Sequence, residues 1–462
     1  MKVCKIASFV YFCIMAMFLT NCTNTDAIPE YDSDVPIAFN TRIGNVGSTR
    51  AGGPGPMDNT TLQSTGFGVF AQHTGNTGWN DYGKGASFNF MWNQQVDWST
   101  DHWTYQPVKY WPNDNQPADD QDPPAQGSQE RSYVSFFAYA PYVDAATLPT
   151  TTEAKAAADG IVEITGNSTA INNSYIYYRT DLGKPFDVNE SVDLLWATQQ
   201  DRFKMDGGGF TTGHVDFVFK HALAKVSIMV KTLIDRTSTY KSEAYSDELD
   251  ANSRVFIDNV TISTPPFYSE GKLMIAPNQS TIKWDYTGVA DEKKYTGWVY
   301  STSESGKFSD NVKYALRYAA PNVPTDQADA ETAKTDFDAM KAGVTHEEQP
   351  LSANYDNGMY MFLPTEDTQD ITVKAVYHVI TYDPKLTLNS PKFYSIVEND
   401  ITATMNNSAF KFEPNKQYKI VLNLGLTSVK FEVYELDDFG EWILLSAVVK
   451  DWDTETKEVN VE

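Results

Sequence analysis

Apolar and polar residues alternate in many short segments along this 462-residue chain. In residues 34–44, Val35, Ile37 and Phe39 fall on one face of an extended chain, while Ala38 and Asn40 fall on the other. A period of two predicts a half-buried β-strand. Alternation or a short apolar run predicts further strands over residues 66–72, 132–142, 191–201, 255–263, 358–364, 370–382 and 442–452, and a hairpin over residues 88–114.

Two long apolar segments change the phase of their alternation partway. In residues 214–231 the apolar residues first occupy odd positions, such as Phe217, and then even positions, such as Ile228. In residues 416–436 they first occupy even positions, such as Leu422, and then odd positions, such as Phe431. A β-bulge, or a strand that switches from one sheet to another, explains such a change.

Few segments have a helical period. Residues 325–344 predict the main helix, because alanine and lysine are abundant there and a glycine lies near the end. Three consecutive glycines in residues 204–213 predict a linker, since glycine loses the most conformational freedom inside a regular element. Many short strands with turn signals between them favour an all-β protein built from sandwiches.

The first 21 residues have the layout of a secretory signal peptide. Two lysines precede an apolar run of about 14 residues, which is shorter than the ~20 residues of a membrane-spanning helix. The sequence Leu19-Thr20-Asn21-Cys22 then resembles the lipobox of bacterial lipoproteins, in which the cysteine is diacylated and becomes the first residue. We therefore expect lipidation at Cys22, with residues 22–33 as a polar tether. An ordinary signal peptide with an incidental cysteine is the alternative.

The positions of the cysteines exclude disulfides from the exported chain. All three cysteines lie in the first 22 residues, so the exported chain must take its stability from a core and not from disulfides.

The net charge bears on the kind of partner. The chain has 36 Lys and Arg against 61 Asp and Glu, a formal net charge of −25. Such an acidic chain repels phosphate backbones, so we expect no nucleic-acid partner.

No pattern of catalytic or metal-ligating residues stands out. The six histidines lack the spacing of a zinc site, and there is no G-x-S-x-G motif. The acidic segment of residues 113–124 lacks the glycine and the final glutamate of a calcium loop. His221 lies where the strand phase changes, which favours a structural role. We expect no catalytic residues, no metal and no cofactor.

One aromatic cluster has two interpretations. Trp92, Trp98, Trp103 and Trp111 lie within twenty residues, together with two tyrosines. Aromatic rings stack on sugars, so an exposed set would form a glycan-binding platform. The same rings would otherwise pack a hairpin against the sandwich, because aromatic side chains bury the largest area per residue.

A set of strand sequences resembles the fimbrillin family of Bacteroidota, the type V pilus subunits. The set consists of FMWNQQVDW…WTYQPVKYWPND, VSFFAYAPY, DLLWA, VDFVFKHALAKVSI and the terminal YKIVLNLGLTSVKFEV…W…VVKDW, in that order. The resemblance implies two tandem transthyretin-like Greek-key β-sandwich domains, over residues 34–212 and 213–462. It also implies that the protein is not an enzyme.

The resemblance further implies a route of assembly. In that family a surface Arg-specific protease cuts the N-terminal segment of the lipoprotein precursor, and the first strand is replaced by a strand from the C-terminal region of a neighbour. Here the exchangeable strand would contain Val35, Ile37 and Phe39, and the cut would follow Arg42 or Arg50. Arg50 is favoured because small and glycine residues flank it. The donor would be YKIVLNLGL or WILLSAVVKDW.

Two functions follow as expectations. The first is a structural subunit of a surface pilus at the outer membrane, which polymerises with other pilus subunits and mediates adhesion. The second is a tip adhesin or glycan-binding surface lipoprotein of the same fold, with a host or bacterial surface glycan or protein as its partner. The position in the pilus (stalk, tip or base) and the adhesion target stay open.

Overall fold

The computed structural model describes residues 35–44, 56–112, 132–180, 186, 191–204, 213–233, 252–278, 280–302, 306–308, 311–319, 321–322, 324–353, 359–406, 409–436, 441–451 and 457–459. Most of these residues lie in β-strands, so the all-β prediction is confirmed. Within the described ranges, no helix has the length and apolar character needed to cross a membrane.

The strands are numbered in chain order. The first nine are β1 (Ala38–Ile43), β2 (Phe67–Gly75), β3 (Met91–Ser99), β4 (His102–Thr104), β5 (Tyr133–Ala140), β6 (Gly160–Ile164), β7 (Tyr175–Arg179), β8 (Leu195–Arg202) and β9 (His214–His221). The others are β10 (Ala224–Thr232), β11 (Ser253–Tyr268), β12 (Glu270–Met274), β13 (Trp284–Asp285), β14 (Lys294–Ser301), β15 (Gly306–Phe308), β16 (Asn311–Ala315), β17 (Gln349–Pro350), β18 (Met359–Pro364), β19 (Ile371–Tyr382), β20 (Tyr394–Met405), β21 (Gln417–Leu424), β22 (Ser428–Leu436), β23 (Trp442–Asp451) and β24 (Lys457–Val459).

Three α-helices accompany these strands in the described ranges: α1 (Asn59–Thr65), α2 (Thr152–Ala156) and α3 (Ala330–Ala339). The predicted helix over residues 325–344 is confirmed by α3, which is shorter than the prediction. It begins after Asp329, whose side chain accepts a hydrogen bond from the Thr332 amide and so caps the helix.

The first sheet has the strand order β1-β9-β8-β5-β2-β3-β4. Its two ends meet, because the Trp103 indole of β4 donates a hydrogen bond of 3.0 Å to the Thr41 hydroxyl of β1. The sheet therefore curls around an apolar core made by its inward-facing side chains, with Phe39, Phe67 and Phe136 at its centre.

A second sheet, β13-β12-β7-β6, packs on the other face of the first. Trp79, Phe137 and Trp196 from the first half of the chain meet Ile176 and Leu273 there. This sheet is built from both halves of the chain, since β7 pairs with β12 from Arg179 opposite Glu270 to Tyr175 opposite Met274.

The remaining strands form a sandwich around a third apolar core. One layer runs β15-β16-β14-β11-β19-β20 and the other contains β18, β10, β21, β22, β23 and β24 in that order, with the short β17 also paired with β10. The layers connect where Phe267 and Tyr268 of β11 pair with the end of β18. Both layers contribute buried side chains to the core, among them Ile262, Tyr377 and Leu422.

The phase change in residues 214–231 marks a strand that switches sheets. β9 pairs with β1 and β8 in the first sheet, whereas β10 pairs with β18 and β21 in the sandwich. The switch occurs between His221 and Ala224, and Val215, Phe217 and Phe219 of β9 belong to the core that β1 fills. The domain boundary between residues 212 and 213 stays a prediction.

The phase change in residues 416–436 has a different cause. β21 and β22 form a hairpin in which Leu422 pairs with Phe431. The last paired residues, Leu424 and Val429, are separated by the four residues 425–428, so an even position on β21 always faces an odd position on β22 and both strands direct their apolar side chains into the same core. The division of the chain into two independent domains stays a prediction, since the sheet containing β7 and β12 joins the two halves.

Candidate functional site

The first strand is held on both sides of its backbone. β1 pairs in parallel with β9, from Ala38 opposite His214 to Ile43 opposite Phe219. Just before β1, the Ile37 amide donates to the Lys109 carbonyl (2.9 Å), and the Trp111 amide donates to the Val35 carbonyl (3.0 Å). We call the channel between β9 and residues 109–111, which residues 35–43 fill, the β1 groove.

The apolar side chains of this segment point into the core of the first sheet. Ile37, Phe39 and Ile43 are buried, and Val35 is half-buried against the same core. The Phe39 ring stacks on Phe217, with ring centroids 5.7 Å apart, and tilts against Tyr105 at 5.3 Å. The structure thus places Val35, Ile37 and Phe39 in the first sheet, although the regular strand extends further, through Ile43.

Tyr105 connects the two walls of the β1 groove. Its hydroxyl donates to the Ile37 carbonyl at 2.9 Å and accepts from the Lys109 amide at 3.2 Å. Burial raises the pKa of Tyr105 to about 12, so the hydroxyl keeps its proton at physiological pH. The phenol is therefore available as a donor to the backbone of the first strand.

We expect Tyr105→Phe to lower the free energy of unfolding by about 1–3 kcal/mol, because it leaves the Ile37 carbonyl without that donor in a buried position. The measurement is urea unfolding of the uncleaved protein. Tyr110→Phe is the matched control, since the Tyr110 side chain is 50% exposed and should change stability little. Equal losses for both variants would contradict the assigned role of Tyr105.

Gly213 allows the first strand to approach β9 closely. Its φ is +44°, and a Cβ atom there would lie 2.9 Å from the Pro36 carbonyl oxygen and 3.0 Å from Val35 Cγ1. The Gly213 carbonyl accepts hydrogen bonds from the Ala38 amide and from the Trp111 indole. A side chain at this position would push the first strand away from both partners.

Gly213→Ala should therefore lower the free energy of unfolding more than a glycine-to-alanine substitution at another position with a similar φ. Gly75 has a φ of +62° and no atom within 4 Å of its Cβ position, so Gly75→Ala measures the backbone strain alone. We expect Gly213→Ala to lose at least about 1 kcal/mol more, from overpacking against residues 35 and 36. Thermal unfolding of the two variants makes the comparison, and identical midpoints would contradict it.

The four tryptophans do not form an exposed platform. Trp103 and Trp111 are buried in the core of the first sheet, and Trp98 packs against that core with its ring nearly perpendicular to Trp103. Trp92 is half-buried on the opposite face of the sheet. This burial favours the packing interpretation over the glycan platform, because rings that pack against two cores on opposite faces share no surface for a sugar.

The buried carboxylate of Asp193 holds the chain just before α1. Asp193 accepts a hydrogen bond from the Met57 amide (2.9 Å) and another from the His221 imidazole (2.6 Å). Asp58 then caps α1 by accepting from the Thr61 amide. His221 thus has a structural role, as expected, and the Asp193 carboxylate holds Met57 independently of β1. The start of α1 also contacts β1, because the Ile43 amide donates to the Asn59 side-chain oxygen at 3.3 Å.

Of the three residues predicted for cleavage and lipidation, the structure describes only Arg42. Arg42 lies inside β1, with its side chain exposed and its backbone paired with Val218. Arg50 and Cys22 lie outside the described residues, as do the signal peptide, the tether and the acidic segment of residues 113–124. Because a protease needs an extended, accessible backbone, the position of Arg42 in a paired strand favours Arg50.

Sequence reasoning missed the roles of three residues of this site: Tyr105, Gly213 and Asp193. Each acts on the first strand or on Met57 across a long stretch of chain, so no local pattern reveals the partner. Among the described residues, no group of three or more His, Cys, Asp or Glu side chains is arranged to hold a metal ion.

The chain is similar to the fimbrium subunit Fim1C of Phocaeicola vulgatus. The two sequences are 22% identical over 375 residues, which cover 81% of each chain. No family model matches the sequence.

Two solved structures of fimbrial proteins align with most of this chain. A fimbrial protein of Bacteroides vulgatus has a TM-score of 0.48 and 16% identity, covering 90% of this chain and 99% of that one. The fimbrial anchor protein Mfa2 of Porphyromonas gingivalis has a TM-score of 0.28 and 11% identity, covering 90% of this chain and 98% of that one.

Proposed function

We propose that this chain is a member of the fimbrillin family and a structural subunit of a cell-surface pilus. Its similarity to a fimbrium subunit over 81% of both chains supports this proposal. The subunit is a precursor until its first strand is cut away. A strand from a neighbouring subunit then fills the β1 groove, and repetition of this step builds the pilus, which mediates adhesion.

The observation that carries the proposal is the position of β1. It is an edge strand of its sheet, it precedes Arg50 in the chain, and its Ile37, Phe39 and Ile43 side chains fill a core that the rest of the sheet lines. Loss of residues 35–43 would expose that apolar core and the unpaired edge of β9. An exposed edge beside an apolar channel binds another strand.

The anchor at Met57 supports a cut that removes only this strand. Residues 51–56 separate Arg50 from Met57, and the Met57 amide is held by Asp193. The Met57 side chain packs in the core of the first sheet and α1 follows at once. A cut after Arg50 therefore separates β1 from the rest of the chain. When β1 leaves, α1 loses the hydrogen bond between Ile43 and Asn59, but the Asp193 carboxylate and the core contacts of Met57 still hold its start.

The proposal also includes a lipid anchor at Cys22 and a location at the outer membrane. Acylation of Cys22 would hold the precursor on the outer membrane until cleavage, because acyl chains contribute about 0.8 kcal/mol per buried methylene. After cleavage the subunit would be retained in the pilus by its neighbours alone. The partners are then other pilus subunits, and the buried tryptophans give no support to the alternative of a glycan-binding adhesin.

Cleavage with an Arg-specific protease tests this function. We expect the cut protein to form a ladder of oligomers that withstands SDS without heating, while the uncut protein stays monomeric. Arg50→Ala should abolish the ladder, and Arg42→Ala, whose backbone lies in a paired strand, should leave it unchanged. Ladders of equal extent with Arg50→Ala and with the unsubstituted chain would overturn the cleavage step.

A further inference from the structure

The side chain of Lys84 is buried where the two halves of the chain meet. Lys84 lies between β2 and β3 of the first sheet and is 9% exposed. Its Nζ donates a hydrogen bond of 2.7 Å to the side-chain oxygen of Asn278, which follows β12 and lies 194 residues further along the chain. A buried amine therefore lies directly against a carboxamide from the other half of the chain.

Trp79 holds both groups in this position. Its indole donates to the Pro277 carbonyl at 3.2 Å, so the segment that carries Asn278 is fixed to the first half of the chain. Its ring covers the amine, with Lys84 Nζ 4.6 Å from the ring centroid, and the ring itself is fully buried. A nucleophile and a target held together in this way avoid the entropy loss of an encounter between free groups.

The geometry suits attack by the amine on the carboxamide. A carbonyl bond is about 1.23 Å long, so an amine that is 2.7 Å from Asn278 Oδ1 lies roughly 3–4 Å from Asn278 Cγ. Reacting atoms in near-attack geometries are about 3–3.5 Å apart. Burial also lowers the pKa of Lys84, although the charges of Asp201 and Asp81 oppose this effect. The lowered pKa increases the fraction of neutral, nucleophilic amine.

Asp201 supplies a carboxylate beside this pair. Its Oδ1 accepts a hydrogen bond from the Trp79 amide at 2.7 Å, and its charge acts on Lys84. Its own amide donates to the Ser135 hydroxyl at 3.0 Å. The φ of Asp201 is +55°, a left-handed conformation that is uncommon for residues other than glycine. The local backbone thus holds a proton acceptor near the amine.

We propose that Lys84 and Asn278 form an isopeptide bond that cross-links the two halves of the chain. The lone pair of Lys84 Nζ attacks Asn278 Cγ, and the carbonyl π electrons move to Oδ1. The Asp201 carboxylate takes a proton from Nζ and gives it to Nδ2, which leaves as ammonia when the carbonyl re-forms. An Nζ–Cγ bond replaces the Cγ–Nδ2 bond, without an oxidant or a further reactant. Asn278 is exposed, so the ammonia escapes into solvent.

Such a bond gives this chain the kind of covalent cross-link that disulfides give other exported proteins. After residue 22 the sequence contains no cysteine. A link between residues 84 and 278 closes a long loop, which reduces the conformational entropy of the unfolded chain. The bond forms within one uncleaved chain, so it does not depend on the proposed function.

Peptide mapping of the denatured full-length protein tests the bond. Trypsin cleaves after lysine and arginine, so a chain without the bond yields residues 51–84, 85–109 and 273–283 as separate peptides. We expect a branched product in which residues 51–109 are joined to residues 273–283. Its mass should be lower than the sum of these two peptides by one ammonia molecule. Separate peptides of unchanged mass, with no branched product, would overturn the proposal.

Lys84→Arg distinguishes the covalent bond from the hydrogen bond. A guanidinium can donate to Asn278 Oδ1 but stays protonated and is no nucleophile, so this variant should give no branched product. Lys283→Arg is the matched control, because the exposed Lys283 ends the same tryptic peptide as Asn278 and arginine keeps the cleavage site. A branched product from Lys84→Arg, or its loss from Lys283→Arg, would overturn the assignment to Lys84.

Asp201→Asn tests the proton acceptor. Asparagine keeps an oxygen for the Trp79 amide but cannot take up a proton, so the branched fraction in freshly isolated protein should fall roughly tenfold or more. Asp81→Asn is the control, because Asp81 also acts on the charge of Lys84 but is exposed. Equal branched fractions from the two variants would overturn the role of Asp201.

Discussion

Replacing Phe39 by alanine is expected to lower the free energy of unfolding of the uncleaved protein by about 3–5 kcal/mol. Phe39 is 3% exposed, and its ring meets those of Phe67, Tyr105, Phe136 and Phe217. Removal of the ring takes apolar surface from the core and leaves a cavity between these neighbours. Urea unfolding, followed by the fluorescence of the buried tryptophans, measures the loss.

The Phe39→Ala prediction can also be tested after cleavage. After a cut at Arg50 and departure of the first strand, the Phe39→Ala and unsubstituted chains are chemically identical, so their stabilities must coincide. Arg42→Ala is the control within the same strand, since its exposed side chain should contribute within about 0.5 kcal/mol. A loss below 1 kcal/mol for Phe39→Ala would show that β1 does not fill the core in solution.

Replacing Arg179 by an uncharged residue should also lower the free energy of unfolding by several kcal/mol. Arg179 ends β7, in the sheet that contains strands from both halves of the chain. The Arg179 Nε donates to the Glu270 carboxylate at 2.6 Å, and both side chains are largely buried. Arg179 also donates to the Lys155 and Ala156 carbonyls. Arg179→Met leaves the buried carboxylate with the Tyr177 hydroxyl and the more distant Lys293 ammonium (3.9 Å) as partners, so we expect a loss near the lower end of the range for a broken buried ion pair, about 3 kcal/mol in urea unfolding.

The double variant Arg179→Met/Glu270→Met distinguishes two causes of the stability loss, the unpaired buried charge and the altered packing. Replacement of a buried ion pair by apolar side chains is often neutral, so the double variant should recover most of the stability lost by the single one. Lys374→Met, which removes an exposed cross-strand pair with Asp400, should have little effect. A double variant as unstable as Arg179→Met would show that the ion pair is not the cause.

The strands were predictable because their signal is local. A strand with one buried face repeats every two residues, and the predicted segments at residues 66–72, 132–142 and 370–382 coincide with β2, β5 and β19. The phase changes were visible for the same reason. Their two causes, a switch of sheets at residue 222 and a hairpin turn at residue 426, leave the same pattern in the sequence and needed the structure to distinguish them.

The site itself depends on pairing between distant residues, which local patterns do not record. The apolar pattern of residues 35–39 predicted a strand, but not that it would pair in parallel with β9, about 175 residues later. The positive φ of Gly213 has meaning only once Val35 and Pro36 lie against it. Similarly, the tryptophans at positions 92–111 have the same sequence pattern whether they face sugars or a core.

The composition of assembled pili tests the central claim most directly. Oligomers resistant to SDS are isolated, heated and analysed by mass spectrometry for the N-terminal residue of each subunit and for peptides that cover residues 35–43. We predict subunits that begin at Ala51 and contain no such peptide, because a second copy occupies the β1 groove. Oligomers in which every subunit retains residues 35–43 would contradict the account.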